Sequence, residues 1–526
     1  TCVSRQPATS SVQRPPAMPH LKHQGLGQMH RVRSFHGMAG RCWRLQNTRH
    51  LLALHGSHWS RGWRLHGVQS IQPNRAIYTS ARVTCSTVAV SSKLHIAQRH
   101  GKDIEALLGE VWWACDTTNC AYTVVGRTAA ALQGVSVDLG FSDSDLNSTE
   151  EVAVEIQWDL VRQVHTCLRE SALGIQLGEV NELKEGWQFL VSKGILSLRV
   201  FARRSVMVAA DPHRIALSFS TAPGGMVWAR SLYAVRGEQV HDEALISGVN
   251  LRLEQLQNEI SRENAKAWSG EETYDAWLAR FGGPEVHAAA LVSAPRASLG
   301  PLLKWMPEDL QGVRVVNLLG SHGAKAVALA LLGAQATVVD VSPSNQLYAQ
   351  QLAAAAGVHI DFIVSDVLSL PLKTSPGIPE QSQLGVGVAD VVVMEMGILH
   401  YFVDLLPLLG HEGVVPTLLR PGGRLVLRDF HPVSTKLVSS RGKKLKADGD
   451  YFYSGLTATS VAHSKFGKGG AAEPAAVVQH RRWTMGEILT AAASGGLCLD
   501  VLDEEPGVKP SDRTVPKIFT LVAHKL

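Results

Sequence analysis

The residues best placed to do chemistry lie between Val313 and Asp340, in the stretch VRVVNLLGSHGAKAVALALLGAQATVVD. An apolar run, 313–319, breaks into the turn Gly320-Ser321-His322-Gly323. An alanine-rich helical pattern follows and stops at Gly333, and a second apolar run, 336–339, ends on Asp340. Strand, glycine-bearing turn, helix and strand in that order make a unit of nucleotide-binding type. Glycine lets the backbone approach a ligand closely, the helix N-terminus offers free N–H groups, and an acid at the end of the next strand can accept from both ribose hydroxyls. Asp340 stands 17 residues past Gly323, and Ser342 and Ser344 are better placed than it to cap the following helix. The ligand implied therefore carries an adenosine-like ribose.

Further chemistry-bearing groups follow the later apolar runs. Ser365 and Asp366 end the third, and Glu395 and His400 sit in Met394-Glu395-Met396-Gly397-Ile398-Leu399-His400-Tyr401 after the fourth. Arg428-Asp429-Phe430-His431-Pro432 leaves the fifth, at the edge where open α/β sheets bind ligands. Asp429 and His431 could orient or deprotonate a substrate there. Each has a plainer reading: Asp366 as a turn residue, His400 as a hydrogen-bonded residue at the sheet edge.

These residues need strands to carry them. Apolar runs at 313–319, 336–340, 359–364, 390–396, 424–429, 497–502 and 517–524 read as strands. Helical patterns near 323–332, 343–356, 403–419 and 484–495 lie between them, the last opened by the capping box Thr484-Met485-Gly486-Glu487. Alternation of strand and helix implies a parallel sheet, an α/β doubly wound architecture. The final pair is joined by a loop carrying Pro506, Pro510 and Pro516, so it should be an antiparallel hairpin. Residues 438–483 form a long insertion holding Arg441, Lys443, Lys444, Lys446, Tyr451, Tyr453 and His480-Arg481-Arg482. Such an insertion shapes a substrate pocket suited to an anionic or aromatic molecule, or is a solvated loop.

At 526 residues the chain exceeds one ordinary domain. Residues 103–250 read as a small α+β domain, with helices at 151–171 and 181–193 and strands at 195–201, 205–210 and 214–220 turning at Arg203-Arg204 and Asp211-Pro212. Regulatory, dimerising and substrate-presenting roles are equally open for it. An amphipathic connector helix, 245–262, leads to 251–526.

The formal charge of +5 is unevenly spread. Residues 1–102 contain no Asp or Glu but 15 Lys and Arg and 10 His. The remainder holds 36 basic against 46 acidic residues, a net of −10, so basicity is no argument for nucleic-acid binding by the body of the chain. A long acid-free segment rich in Arg and Ser has the composition of an organelle transit peptide, and 78–86 resembles a chloroplast processing region; a mitochondrial leader or a disordered basic tail is the alternative. Cys115 and Cys120 lack the second pair that zinc would require, so no metal is expected. No run approaches the ~18 apolar residues of a membrane span.

The order of elements resembles the class I S-adenosylmethionine-dependent methyltransferases, over about 264–526. The matching text is Ala267-Trp268, YDAWLARFG (274–282), 317–333, MEMGILHYF (394–402), the Arg420-Pro421-Gly422-Gly423-Arg424 turn and LRDFHPVSTKL (427–437). Within the family the chain looks most like plastid and bacterial-type members of poorly defined substrate. The resemblance implies a seven-strand Rossmann-like sheet with an antiparallel last strand, and S-adenosyl-L-methionine as methyl donor. It places Asn317, Gly320, Ser321, Gly323, Asp340, Ser365, Asp366 and Glu395 in the cofactor site, with Ser365 or Asp366 at the adenine edge. It places His400, Asp429 and His431 beside the acceptor. The family's acid-x-Gly-x-Gly-x-Gly reads here Asn317-Leu318-Leu319-Gly320-Ser321-His322-Gly323, with the last glycine alone in register. The Pro-Gly-Gly turn is expected to end a helix, its glycines supplying positive φ.

A sulfonium methyl donor is already activated, so alignment of the reacting atoms and exclusion of water matter more than a base. There is no Asn-Pro-Pro-Tyr or Asp-Pro-Pro-Tyr step, and Cys498 is the one cysteine of the second half. Methyl transfer to an oxygen, nitrogen or carbon of a small molecule is the expectation, with protein or RNA acceptors open. A nicotinamide-dependent oxidoreductase and a non-catalytic nucleotide-binding module are the alternatives.

Overall fold

The computed structural model describes residues 101–136, 152–171, 174–194, 196–211, 213–218, 226–239, 241–370, 384–441, 444–466, 476–508 and 513–526. The expected leader lies outside them, but for its last two residues. So do Glu151, Ile195, Pro212, Lys443 and Pro510. Thr79–Leu526 is one compact unit, and its described part holds two large sheets with separate apolar cores and two small two-stranded ones.

The first sheet has eight strands. Its centre is Ala153–Ile156 beside Tyr122–Val125, flanked by the hairpin Gly186–Lys193/Leu196–Arg203 and by Met226–Arg230 with Arg214–Ser218. Helices Gly101–Thr117 and Val161–Glu170 cover it with Val111, Trp112, Val164 and Leu168. Three expectations are corrected here. The helix expected over 151–171 is a strand, a 3-10 turn at Trp158–Leu160 and a shorter helix. Val152, Val154 and Ile156 alternate in β-branched fashion, and the four-residue spacing of 152, 156 and 160 concealed it. The helix expected over 181–193 is two strands, because Phe189 and Val191 bury on a period of two and Gly186 sits where a Cβ would lie 1.8 Å from the Ala202 carbonyl oxygen. The strand expected at 205–210 is a turn and a 3-10 helix, Val208–Ala210.

The second sheet contains β1 (Arg314–Leu318), β2 (Gln335–Asp340), β3 (Asp361–Val364), β4 (Ala389–Glu395), β5 (Leu419–Phe430), β6 (Leu497–Pro506) and β7 (Pro516–Lys525). Their order in space is 3-2-1-4-5-7-6, with β7 antiparallel to both neighbours and β1 to β5 parallel. This is a doubly wound, Rossmann-like α/β sheet. The direction of winding reverses between β1 and β4, and that point holds a crevice at the carboxyl ends of the strands. β1, β2 and β4 are buried on both faces, which is why they read as unbroken apolar runs. Helix Met485–Ser494 carries the complete capping box of Thr484 and Glu487.

The helix expected over 403–419 is two short ones, Leu406–Leu409 and Val414–Leu418. The chain enters β5 at Leu419, ahead of Pro-Gly-Gly, and these residues form a bulge: Ala389 pairs with Leu419 and Val391 with Arg424. Gly422 has φ +71°, while Gly423 is required because a Cβ would meet the Arg420 and Ala389 carbonyl oxygens at 2.8 and 3.0 Å. Their role is to admit a bulge within a strand rather than to end a helix.

The connector helix is longer than expected, Glu243–Ser269. Its first half buries Leu245, Val249 and Leu253 in the core of the first sheet. Its second half buries Gln257 and Asn264, which reach the crevice of the second. Asp242 caps it by accepting from the Leu245 N–H at 3.0 Å. Among the described residues no helix is long and apolar enough to cross a membrane.

Candidate active site

Two cavities open at the carboxyl edge of the second sheet. The first, of about 370 Å³, lies over the ends of β1 to β4. The second, of about 530 Å³, lies between the end of β5 and the 438–483 insertion. They share a wall made by His400, Tyr401, Phe430, Ala462 and Lys465. A third hollow at the amino ends of β2 and β3 holds an exposed His359–Asp361 pair and no other acid–base group.

The floor of the first cavity begins at the turn after β1. Leu319 and Ser321 both have φ +50°, and Gly323 has +74°. These are the three positions at which the family pattern has glycine. The backbone is thus left-handed at all three although two carry side chains, each at a cost of roughly 1–2 kcal/mol. Gly320 has no such φ, but a Cβ there would meet Asn317 Oδ1 at 2.7 Å and Val338 Cγ1 at 2.8 Å; one on Gly323 would meet Ala349 Cβ at 2.7 Å. Gly320 and Gly323 therefore shape the turn without lining the cavity. Asn317, expected in the cofactor site, lies beneath it and donates from Nδ2 to the Val393 carbonyl at 3.3 Å, tying β1 to β4.

Asp340 lines the cavity, and the fold already uses most of its acceptor capacity. Its Oδ2 accepts from the Ser321 N–H at 2.9 Å, and its Oδ1 accepts from the Ser342 N–H and from Asn345 Nδ2, both at 3.0 Å. A carboxylate has about four lone-pair sites, so one remains, on Oδ2. Burial pushes this carboxyl up, and hydrogen bonds from Asn345 and from the Ser342, Ser321 and Val341 amides pull it back. Ser342 and Asp366 cap the elements after them, accepting from the N–H groups of Asn345 and Leu368. Ser365 and Asp366 both line the cavity. Glu395, also in the lining, lies 3.5 Å from Lys325 Nζ and 4.0 Å from Arg428 Nε; burial raises its carboxyl, against the pull of both cations.

The opposite side comes from helices before the sheet. Helix Glu271–Phe281 presents Trp277, whose Nε1 donates to Asn345 Oδ1 at 2.9 Å, and Arg280, whose guanidinium stacks 4.4 Å from the Phe466 ring. Trp268 Nε1 donates to the Tyr401 hydroxyl at 3.1 Å. Tyr274 does not line the cavity and bonds Gln351 instead. Behind the turn, burial and neighbouring cations hold His322 at about 3, a neutral ring packed on Trp277 and Phe281.

His400 stands at the junction of the cavities. Its ring lies 4.5 Å from those of Tyr401 and His480, and no hydrogen bond holds its nitrogens among the described residues. Burial and the charge of Arg482 depress it to about 4, so it is neutral at pH 7. His480, from the insertion strand Val477–Arg481, is depressed to about 3 by burial, His400 and Arg482, and its Nε2 lies 2.8 Å from Thr459 Oγ1. Asp429 lines the second cavity but accepts from the N–H groups of Gly397 (2.6 Å), Ile398 (3.1 Å), Leu399 (2.9 Å) and Phe430 (2.7 Å). It is a brace that holds the 396–401 turn, not a free base. His431 lines neither cavity: its Nδ1 accepts from the Val433 N–H and its Nε2 lies 2.6 Å from Glu504 Oε1. Asp429 and His431, expected beside the acceptor, are both engaged in these contacts.

Sequence reading missed the contribution of the first sheet. Gln257 donates to the Tyr401 carbonyl and accepts from the Val403 N–H. Tyr233 donates to the Val403 carbonyl, and Arg236 forms a bidentate pair with Asp404 at 2.6 and 3.1 Å. The segment following His400-Tyr401 is thus gripped from both sides. The signal was available in part: Gln257 and Asn264 interrupt an apolar helix stripe that otherwise runs 245, 249, 253, 260.

No family model and no curated protein matches the chain. Solved structures similar to it include an S-adenosylmethionine-dependent methyltransferase from Mesorhizobium loti, 21% identical, covering 43% of this chain and 98% of that one at a TM-score of 0.33. A SAM-dependent methyltransferase from Methanosarcina mazei is 14% identical over 44% of this chain and 99% of its own, with a TM-score of 0.30. Magnesium protoporphyrin IX methyltransferase from Synechocystis PCC 6803, with bound SAH, is 14% identical over 51% and 99%, also at 0.30. Likeness at this level does not bear on activity or substrate.

Proposed function

We propose that the chain transfers a methyl group from S-adenosylmethionine to a small molecule. The observation that carries this reading is the pair of adjoining cavities at the carboxyl edge of the sheet, meeting at His400 and Tyr401. The first cavity fits the donor: Asp340 keeps one acceptor site for a ribose hydroxyl, Ser365 and Asp366 stand at the end of β3 for an adenine edge, and the turn keeps its left-handed backbone. Ser321 and the Glu395 carboxylate face the remaining end, suited to an amino-acid group. When bound, S-adenosylmethionine supplies a methyl group on a sulfonium, which needs no further activation.

The chain's own residues then align and enclose. Asp429 fixes the 396–401 turn through consecutive amides, and Trp268 and Gln257 fix Tyr401. Helix Glu271–Phe281 lines one side of the first cavity with Trp277 and Arg280. His400, neutral and without a hydrogen-bond partner among the described residues, can take a proton from an acceptor in the second cavity. Residues 1–102 are proposed as an import leader for a plastid, or else a mitochondrion; mapping the N-terminus of the native protein tests this.

Calorimetry on the whole chain tests the donor site. S-adenosylhomocysteine should bind and NADH should not. NADH binding with no response to S-adenosylhomocysteine would replace this reading with the oxidoreductase, and silence to both would favour a module without this chemistry. With an acceptor in hand, His400→Gln should lower turnover by about 10²–10⁴ with donor binding unchanged, whereas His431→Gln should leave turnover near that of the parent.

A further inference from the structure

We propose that the second cavity receives a small organic anion, a carboxylate or phosphate ester on a flat apolar body, with Arg482 and Lys465 holding the charge and Phe430 and Trp483 the body. The proposal rests on the methyl-transfer reading for what the bound molecule is for, but its chemistry comes from the cavity wall.

Two neighbouring arginines of the insertion differ in their surroundings. Arg481 is buried, paired with Glu487 at 2.5 Å and sandwiched between the rings of Tyr233 and Trp483 at 3.5 and 3.6 Å. Arg482 lines the cavity, and its one hydrogen bond is to the Thr435 carbonyl; no carboxylate meets it among the described residues. Lys465 lines both cavities and likewise has no carboxylate partner among the described residues. Both residues are exposed, so neither needs a carboxylate of the protein to offset its charge, and each is open to a ligand entering the cavity. The single acid in the described lining is Asp429, which four backbone N–H groups already occupy. The lining thus holds Arg482 and Lys465 without a carboxylate partner among the described residues, together with a third cation, Lys517.

The neighbours register that uncompensated charge. Arg482 is among the causes that depress His400, His480 and Lys436. An anion beside Arg482 would complete the electrostatics of the wall. Phe430 and Trp483 line the cavity, and Val438, Val478 and Ile488 add to its apolar lining, so the anion's body is apolar. Sites of this size, largely apolar with a few placed polar groups, suit ring-sized ligands.

The test uses the whole chain saturated with S-adenosylhomocysteine and three probes of one shape: 4-hydroxybenzoate, phenyl phosphate and the neutral 4-hydroxybenzamide. Calorimetry should show at least one anion binding ten times or more tighter than the amide. The tighter of the two identifies the class. Arg482→Gln and Lys465→Gln, singly and together, should reduce anion affinity about tenfold or more. Arg482→Gln, at a residue outside the donor cavity, should leave the amide and S-adenosylhomocysteine unaffected, which also reports an intact fold. Equal binding of anion and amide, an anion preference that survives in the double variant, or no binding of any probe at millimolar concentration would each overturn the proposal. Failure of the donor reading is separate, because it shows as absence of S-adenosylhomocysteine binding before any probe is added.

Discussion

Replacing Asp340 separates what the residue does for the fold from what it does for a ligand. Its side chain is 8% exposed and accepts three hydrogen bonds, from Ser321, Ser342 and Asn345. Asp340→Ala leaves the donors of Ser342 and Asn345 buried without partners, at about 1–3 kcal/mol each, while Ser321 can turn to water. The expected loss of stability is about 2–5 kcal/mol, read as a lower urea midpoint. Asp340→Asn keeps the shape and one oxygen for the Ser342 and Asn345 donors, so it should cost the fold about 1–2 kcal/mol. Both variants remove the one free charged lone pair. A charge-assisted hydrogen bond of about 1.5–3 kcal/mol then disappears, and S-adenosylhomocysteine should bind roughly 10- to 150-fold more weakly. Two hydroxyl contacts from this carboxylate, as its sequence position suggests, would require a lone pair that Ser321 now occupies. If Asp340→Asn folds like the parent and binds the nucleoside equally well, the ribose is not held here. If Asp340→Ala unfolds at the parental urea concentration, the buried network is not what stabilises the turn.

Three other outcomes follow from the same geometry. Ser321→Gly, at φ +50°, should leave stability unchanged or raise it by up to about 1 kcal/mol, while Gly320→Ala should lower it by about 1–3 kcal/mol; denaturant titrations giving the reverse order would refute the account of the turn. Arg236→Leu leaves the buried Asp404 uncompensated and should cost about 2 kcal/mol, with reduced protection of the Val403–Leu406 amides in hydrogen exchange; unchanged protection would show that Arg236 does not hold this segment. His400 and His480 are depressed to about 4 and about 3, below the ordinary value of about 6.5, so the unfolded chain binds more protons between those limits. Their contribution is complete near pH 7 and is lost as pH falls towards 4, by roughly 2–3 kcal/mol for one ring; the double variant His400→Gln, His480→Asn should flatten the stability profile between pH 7 and 5, and an unaltered slope would contradict the assignment.

The second sheet was legible because its central strands are buried on both faces, so Val315–Leu318, Ala336–Val339 and Val391–Met394 read as apolar runs with helices between. The first sheet was not. Its strands alternate, and Val152, Ile156 and Leu160 fall by accident on a helical spacing. In the site, Asp340, Ser321, Ser365, Asp366, Glu395 and His400 follow strand ends, and position along an α/β chain was enough to find them. Asp429 and His431 also follow a strand end, yet the amides of 397–399 and 433 bind them; hydrogen bonding between distant backbone segments leaves no trace in residue type. The left-handed turn was hidden for a related reason. Leu319 and Ser321 do not announce a positive φ, and the surrounding packing imposes it. Gln257 and Lys465 arrive from a helix and an insertion far away in the chain.

The helix Glu243–Ser269 is an unbroken rod of 27 residues, about 40 Å long. One end is embedded in one apolar core and the other forms part of a ligand cavity in the second. A rod of this kind couples its two ends, because it curves only gently and a sharp kink would have to interrupt its ladder of hydrogen bonds. The two sheets are therefore mechanically in series, and melting either core loosens the wall that carries Tyr401. Severing the chain at residue 264 would not liberate a self-sufficient second half. It would remove Gln257, and with the first sheet Tyr233 and Arg236, leaving the 401–404 segment without the partners that shape it. The first sheet is in this sense part of the candidate site's foundation, and heat or denaturant should dismantle both in one cooperative step.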